Sequence, residues 1–235
     1  MATKRKSSSA AAAKHSSRSG KGKGKGVRGR ARARATEAKG ASGSIVLPAP
    51  QVLALPPVTR PISSFEYCRA LIRDVPDFPK PGITFKDITP LLASPRALHI
   101  VLDGIAERFI GEHVDAIVGI EARGFIFGGA LAARLNASFV PVRKPGKLPA
   151  AVDRVEITTE YSKDALEMHV GSIRESAHVV VVDDVLATGG TAKAAAELVH
   201  KQGGYVVGYA FVVELSFLGG RERLLPVRVE SCINY

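Results

Sequence analysis

The sequence has no tryptophan, two methionines and two cysteines, and aromatic residues make up 6% of its 235 positions. The two cysteines, Cys68 and Cys232, are too few for a disulfide framework and lack metal-ligand spacing, so a reducing, intracellular setting is expected. The six histidines show no ligand spacing either, and His99, His169 and His178 read as structural. No apolar run reaches membrane-spanning length, and the N-terminus lacks the apolar core of a secretory signal. A cytoplasmic protein without a membrane partner is the expectation. Acidic residues are almost missing from the first 45 positions, where Glu37 stands alone against 13 Lys and Arg. The remaining chain holds 20 Lys and Arg and 21 Asp and Glu, so the net charge of +11 belongs to a basic tail on a near-neutral body.

Residues 1–45 are Lys, Arg, Ala, Gly and Ser, with KGKGKG at 21–26 and RGRARARA at 28–35. Such a segment buries too little apolar area to offset its ordering entropy, and is expected to be a disordered basic tail. It is either a solvated appendage or an arm for weak, non-specific contact with nucleic acid or another anionic surface. Its RGR resembles a minor-groove arm, but the flanking prolines are missing. Its Arg-rich, acid-poor composition suits a transit peptide, yet no amphipathic face is evident. Residues 46–62, with PAP, LPP and RP, read as an extended Pro-rich linker.

A single domain is expected over 63–235. SSFEYCRALIRDV has apolar residues at helical spacing, and PDFPKPGITF is a Pro-rich loop. SPRALHIVLDGIAERFI begins with Ser94 as N-cap and Pro95 at the first helical position. DAIVGI, ASFVPV, HVVVV and YVVGYAFVVEL are short β-rich runs. Helical segments at 124–135 and 190–202 separate most of them, and Gly203-Gly204 suits a helix C-terminus. This alternation predicts an α/β domain with a mostly parallel central sheet flanked by helices.

The chemistry concentrates in VVVVDDVLATGGTA, residues 179–192. Four valines make a strand buried on both faces, and the helical segment begins after the glycines, so Asp183 and Asp184 sit at a strand's carboxyl end. Ala187, Thr188, Gly189, Gly190 and Thr191 offer backbone N–H groups, two hydroxyls and no bulk ahead of a helix N-terminus, which makes a phosphate cradle. The loop is neither a Walker A sequence nor a dinucleotide fingerprint. The aspartates would repel a bare phosphate, but suit a ligand that also carries hydroxyls or a metal; a ribose 5-phosphate meets this. On a regular strand they face opposite ways, which gives them distinct roles. Without further context the segment also reads as a polar strand end with a small-residue turn.

The same stretch resembles the phosphoribosyl-diphosphate motif of the type I phosphoribosyltransferase family, in the form carried by its adenine-specific members. FPKPGITFKDITPLL at 78–92, GIEARGFIFG at 119–128, PVRKPGKLP at 141–149 and EYSKDALEMH at 160–169 resemble further family segments in the same order, across 63–235. The resemblance implies a type I phosphoribosyltransferase fold with a mobile lid over 148–170 and a small N-terminal base-binding hood. It implies transfer of ribose 5-phosphate from 5-phosphoribosyl 1-diphosphate to N9 of adenine, yielding AMP and diphosphate in purine salvage. Mg²⁺ would be bound mainly through the donor substrate. Asp183, Asp184 and residues 187–191 would hold the ribose 5-phosphate. Glu121, Ala122, Arg123, Arg143, Lys144 and Lys147 would hold the diphosphate, with the Glu121–Ala122 peptide at the family's often-cis position. Glu160 would contact the purine and handle its proton, or order the lid, beside Tyr161; Glu160 and Arg123 are the catalytic candidates. Phe85 would stack on adenine, while backbone groups of Thr84 and Lys86 read its edge; Lys86 stands where the family commonly has Arg. On its own, Phe85 reads as core. A homodimer is implied. Two other readings are an enzyme of this fold using another base, and a regulator that kept the fold to sense the donor. The second lacks a folded DNA-reading element in residues 1–45.

Overall fold

The structure, a computed structural model, describes residues 64–158 and 163–235. The basic tail, the Pro-rich linker and residues 159–162 lie outside the described residues. The first helix, α1 (Ser64–Ala70), is shorter than its apolar spacing suggested, and Arg73–Val75 forms strand β1 instead. Val75 precedes Pro76, and a residue before proline is pushed out of the helical region. β1 pairs antiparallel with β2 (Phe85–Asp87), making a two-stranded ribbon apart from the main sheet.

After the short α2 (Thr89–Leu92) comes α3 (Pro95–Glu107). Ser94 caps α3 as expected, its Oγ accepting from the Ala97 N–H at 3.3 Å. Next come β3 (Ala116–Ile120), α4 (Gly124–Leu135) and β4 (Ser138–Val142). A hairpin of β5 (Val152–Thr158) and β6 (Lys163–His169) precedes β7 (His178–Leu186). α5 (Gly190–Lys201), β8 (Tyr205–Glu214), α6 (Gly220–Leu224) and β9 (Val229–Asn234) complete the order. The chain leaves α5 through Gly203 at φ +80°, a left-handed position that glycine takes without a Cβ penalty.

The main sheet runs β4-β3-β7-β8-β9, and every pair in it is parallel. β7, with its four valines, is the central strand. Val179 and Val181 point to one face, where α5 and the β5–β6 hairpin cover them. Val180 and Val182 point to the other, against α3 and α4. All four are at most 1% exposed, which is why the strand reads as an unbroken apolar run rather than an alternation. Each buried valine contributes about 1.5–3 kcal/mol of transfer free energy. In such a sheet, ligands bind beyond the carboxyl ends of the strands.

Two substitutions test this division of labour. Leu198→Ala on α5, fully buried, should cost about 2–5 kcal/mol. Ser94→Ala should cost about 1 kcal/mol through the lost cap. Both should lower the denaturant midpoint with an unchanged slope.

Candidate active site

Three loops at the carboxyl ends of β3, β4 and β7 converge with the hairpin on one cleft of about 330 Å³. Ile120, Glu121, Ala122 and Arg123 line it from β3, Lys144 from β4, Asp183 and Asp184 from β7, and Thr191 from α5. The two aspartates thus share one cleft, although a regular strand would have sent them to opposite faces. The Glu121–Ala122 peptide is cis. α4 begins at Gly124, hard against β7: a Cβ there would lie 2.8 Å from the Val182 carbonyl oxygen and 2.9 Å from Asp183 Oδ1. Only glycine lets the β3 loop come this close to the aspartates.

The electrostatics divide the pair. Asp184 is buried and ion-paired through Oδ2 with Arg123 Nε. Asp183 Oδ1 accepts from the Asp184 backbone N–H at 2.8 Å. Burial, and then the charge of Asp184, push the Asp183 carboxyl well above the ordinary carboxylate range. Arg123 uses Nε for this pair, and its guanidinium also lies 5.3 Å from the Phe85 ring centroid. It therefore joins the aspartates to the β1–β2 ribbon.

Beside the cleft a smaller pocket of about 70 Å³ is lined by Ala187, Thr188, Gly189, Gly190 and Thr191, with Asp183 at its edge and Phe211 behind. Gly189 has φ +76°, and a Cβ on it would meet the Gly220 carbonyl oxygen at 2.6 Å. The loop's backbone N–H groups and the positive end of α5 make this an anion cradle.

The three basic residues after β4 do different things. Lys144 lines the cleft and reaches Asp164 on β6, Nζ to Oδ2 3.6 Å. Arg143 donates to Glu121, Nη2 to Oε1 2.9 Å, and to the Lys147 carbonyl at 3.1 Å. Glu121 also accepts from the Lys144 N–H at 3.0 Å, and these bonds hold its carboxyl below its usual range. So Glu121 holds the basic loop in place through Arg143 and the Lys144 N–H, and Lys144 is the residue of that loop that lines the cleft. Phe85 meets Phe78 edge-on at 5.3 Å, and Thr84 is exposed. Lys86 turns away, to Asp74 at 2.7 Å and over the Tyr235 ring at 4.0 Å. Asp87, bonded to Thr89 and Arg73, is held down to about 2 and fixes the start of α2. Glu160 and Tyr161 lie outside the described residues. The cleft also takes Ile157, Asp164 and Leu166 from the hairpin, which sequence reasoning did not single out; apolar residues on the inward face of 152–169 were the available signal.

This arrangement joins an anion cradle, two carboxylates and a second cationic loop at one sheet edge. The phosphoribosyl transferase domain model matches residues 88–233. The chain belongs to the phosphoribosyltransferase family. It is 72% identical over 161 residues to the adenine phosphoribosyltransferase of Sorangium cellulosum, covering 68% of this chain and 80% of that protein. The crystal structure of the Rhodothermus marinus adenine phosphoribosyltransferase superposes with a TM-score of 0.70 at 47% identity, covering 73% of this chain and 98% of that one. The Saccharomyces cerevisiae enzyme, solved with adenine and an imino-altritol bisphosphate, superposes at 0.68 with 38% identity over 72% of this chain and 98% of that one. Those shares make the match nearly the full length of both solved phosphoribosyltransferase chains.

The raised Asp183 gives a pH prediction. The folded state holds this proton more tightly than the unfolded chain, so its cost is nil below the ordinary carboxylate range. The cost grows as pH rises through the raised value. Asp183→Asn keeps the Oδ1 acceptor and removes the charge. It should raise the thermal midpoint at pH 8 by at least ~2 °C, the shift that about 1 kcal/mol gives a domain of this size. At pH 3, below the ordinary carboxylate range, the gain should vanish. An equal gain at both pH values would refute the assignment.

Proposed function

We propose that the protein transfers the 5-phosphoribosyl group from 5-phosphoribosyl 1-diphosphate to N9 of adenine, releasing AMP and diphosphate in purine salvage. The observation that carries the reading is the single cleft shared by Asp183, Asp184, Arg123 and Lys144, opening beside the 187–191 cradle. The cradle takes the 5′-phosphate, which its N–H groups and the α5 dipole favour. Asp183 and Asp184 accept from the ribose hydroxyls. The leaving diphosphate lies along residues 121–123 and Lys144, with Arg143, Lys147 and Glu121 holding that loop. As the C1–O bond breaks, positive charge grows on the ribose and negative charge on the diphosphate. Arg123 sits between the two and stabilises the leaving charge. N9 attacks the same carbon, and its proton passes to Glu160, with Tyr161 beside it in the lid that closes from the 148–170 hairpin and excludes water.

Mg²⁺ fits this donor set: two carboxylates and substrate oxygens suit a hard cation, which would neutralise diphosphate charge while bound on the donor. Most of its contacts would come from the donor, and Asp183 and Asp184 would hold it from the protein side. Phe85 stacks on the base, close to Arg123. Backbone groups of Thr84 and Lys86 read the purine edge; a carbonyl there accepts from an exocyclic amine and leaves a 6-oxo purine unpaired. A homodimer is supported by exposed Ile126 and Phe139, on α4 and on the edge strand β4. A cytoplasmic location fits the composition, and no helix among the described residues is long and apolar enough to cross a membrane. The 1–45 tail adds weak, salt-sensitive contact with nucleic acid.

Purified protein with Mg²⁺ and donor should form AMP from adenine, with hypoxanthine, guanine and orotate slower by more than about 10³-fold. Arg123→Ala should lower kcat/KM by about 10²–10³-fold. Turnover of another base would overturn the specificity; donor binding with no turnover would favour the regulator. Removing residues 1–45 should abolish a DNA affinity that falls steeply with salt; a flat salt response in the full chain would remove the nucleic-acid contact.

A further inference from the structure

Behind the phosphate cradle the chain is held in an unusual way. Gly189 and Gly220 meet back to back: a Cβ on the first would strike the Gly220 carbonyl oxygen at 2.6 Å, and one on the second would lie 3.0 Å from the Ala187 carbonyl carbon and from Leu186 Cδ1. α6 is therefore seated directly on the loop. What holds α6 there is a polar cluster centred on one buried carboxylate. Glu214, 4% exposed at the end of β8, accepts from Arg221 at 2.9 and 2.5 Å and from Ser231 Oγ at 2.5 Å. Arg221 also donates to the Val229 carbonyl at 2.7 Å. Removing Arg221 would leave the Glu214 carboxylate buried and short of a partner, so the cluster fixes where α6 lies.

Two residues beyond Arg221, on this fixed turn, stands Arg223. Its side chain is exposed, and its Nη1 lies 3.3 Å from where a Cβ on Gly190 would be. Thr188 Oγ1 lies 4.0 Å from the same point, so the guanidinium stands over the loop that carries the cradle's hydroxyls. Among the described residues no carboxylate, carbonyl or aromatic ring is recorded as its partner. A cation beside the positive end of a helix is in an unfavourable field unless an anion sits there too. Arg221 and Glu222 on the same turn have other tasks: Arg221 is tied to Glu214, and Glu222 carries the wrong sign for an anion.

We propose that Arg223 is a further binding residue of this site, closing over the 5′-phosphate held by residues 187–191, and that the Glu214–Arg221 cluster is what positions it. The inference rests on the phosphoribosyl-transfer reading. It adds a contact that comes from α6, outside the 179–192 motif, and it explains why a five-residue helix is pinned to the buried Glu214 carboxylate. A planar guanidinium offers phosphate two parallel donors, which the loop's single N–H groups do not.

The experiment measures ribose 5-phosphate and inorganic diphosphate binding separately by calorimetry, alongside adenine turnover. Arg223→Ala should weaken ribose 5-phosphate about three- to tenfold, as loss of one partly exposed charge-assisted contact does. It should leave diphosphate affinity and the KM for adenine unchanged, because those ligands lie at the other end of the cleft. Arg223→Lys should restore part of the loss. Ser231→Ala, which loosens the cluster without stranding a charge, should weaken ribose 5-phosphate in the same direction while Arg223 remains. Equal weakening of ribose 5-phosphate and diphosphate in Arg223→Ala would mean general damage and overturn the proposal, as would unchanged ribose 5-phosphate affinity. If the wild-type protein binds both ligands but turns over no base, the transfer reading fails while the Arg223 comparison still stands.

Discussion

Two neighbouring carboxylates at the end of a buried strand repel each other, and much of the site answers that repulsion. Asp184 is neutralised by Arg123, and Asp183 is left partly desolvated with its proton held tightly. The arrangement works only because α4 begins at a glycine that lets Arg123's loop lie against β7. Glu121 then takes Arg143, which leaves Lys144 as the cation of the basic loop that joins Arg123 in the cleft. Each charge is thus assigned by the one before it, beginning from the aspartates.

This ordering costs stability where the function needs it. A charge kept out of water without a full set of partners is destabilising, and the site accepts that at Asp183. The valine strand beneath it, covered on both faces, offsets the cost and holds the strand end still. A binding group placed on a rigid strand end needs less ordering when its ligand arrives.

The sheet was legible because its signals were strong and local. Four valines followed by two aspartates mark a central parallel strand, and Ser94-Pro95 marks a helix start without reference to anything distant. The helix over 124–135 was equally clear. The first helix was overextended, because apolar spacing continued past the point where Pro76 constrains the backbone. The cleft's cations were visible as a run of three, but their separate tasks were not. Which of Arg143 and Lys144 faces the cleft is decided by Glu121, which lies across a strand pair and not beside them in sequence. The hairpin's share of the cleft was hidden for a similar reason, since Ile157 and Leu166 face inward only once β5 and β6 are paired. α6 is too short for any periodicity to reveal.

The strand order has a consequence for how the molecule is made. β7 pairs with β3 across a gap that includes α4, β4 and the whole hairpin, and with β8 across the length of α5. Contacts so distant in sequence are slow to form, because the chain between them must be ordered first. The last support of the 187–191 loop comes later still, since Ser231 on β9 completes the cluster that seats α6. A chain emerging from the ribosome therefore holds Asp183 and Asp184 in a half-built sheet until β9 is free. Its central valines stay uncovered for that interval, and apolar strands exposed in this way are prone to aggregate.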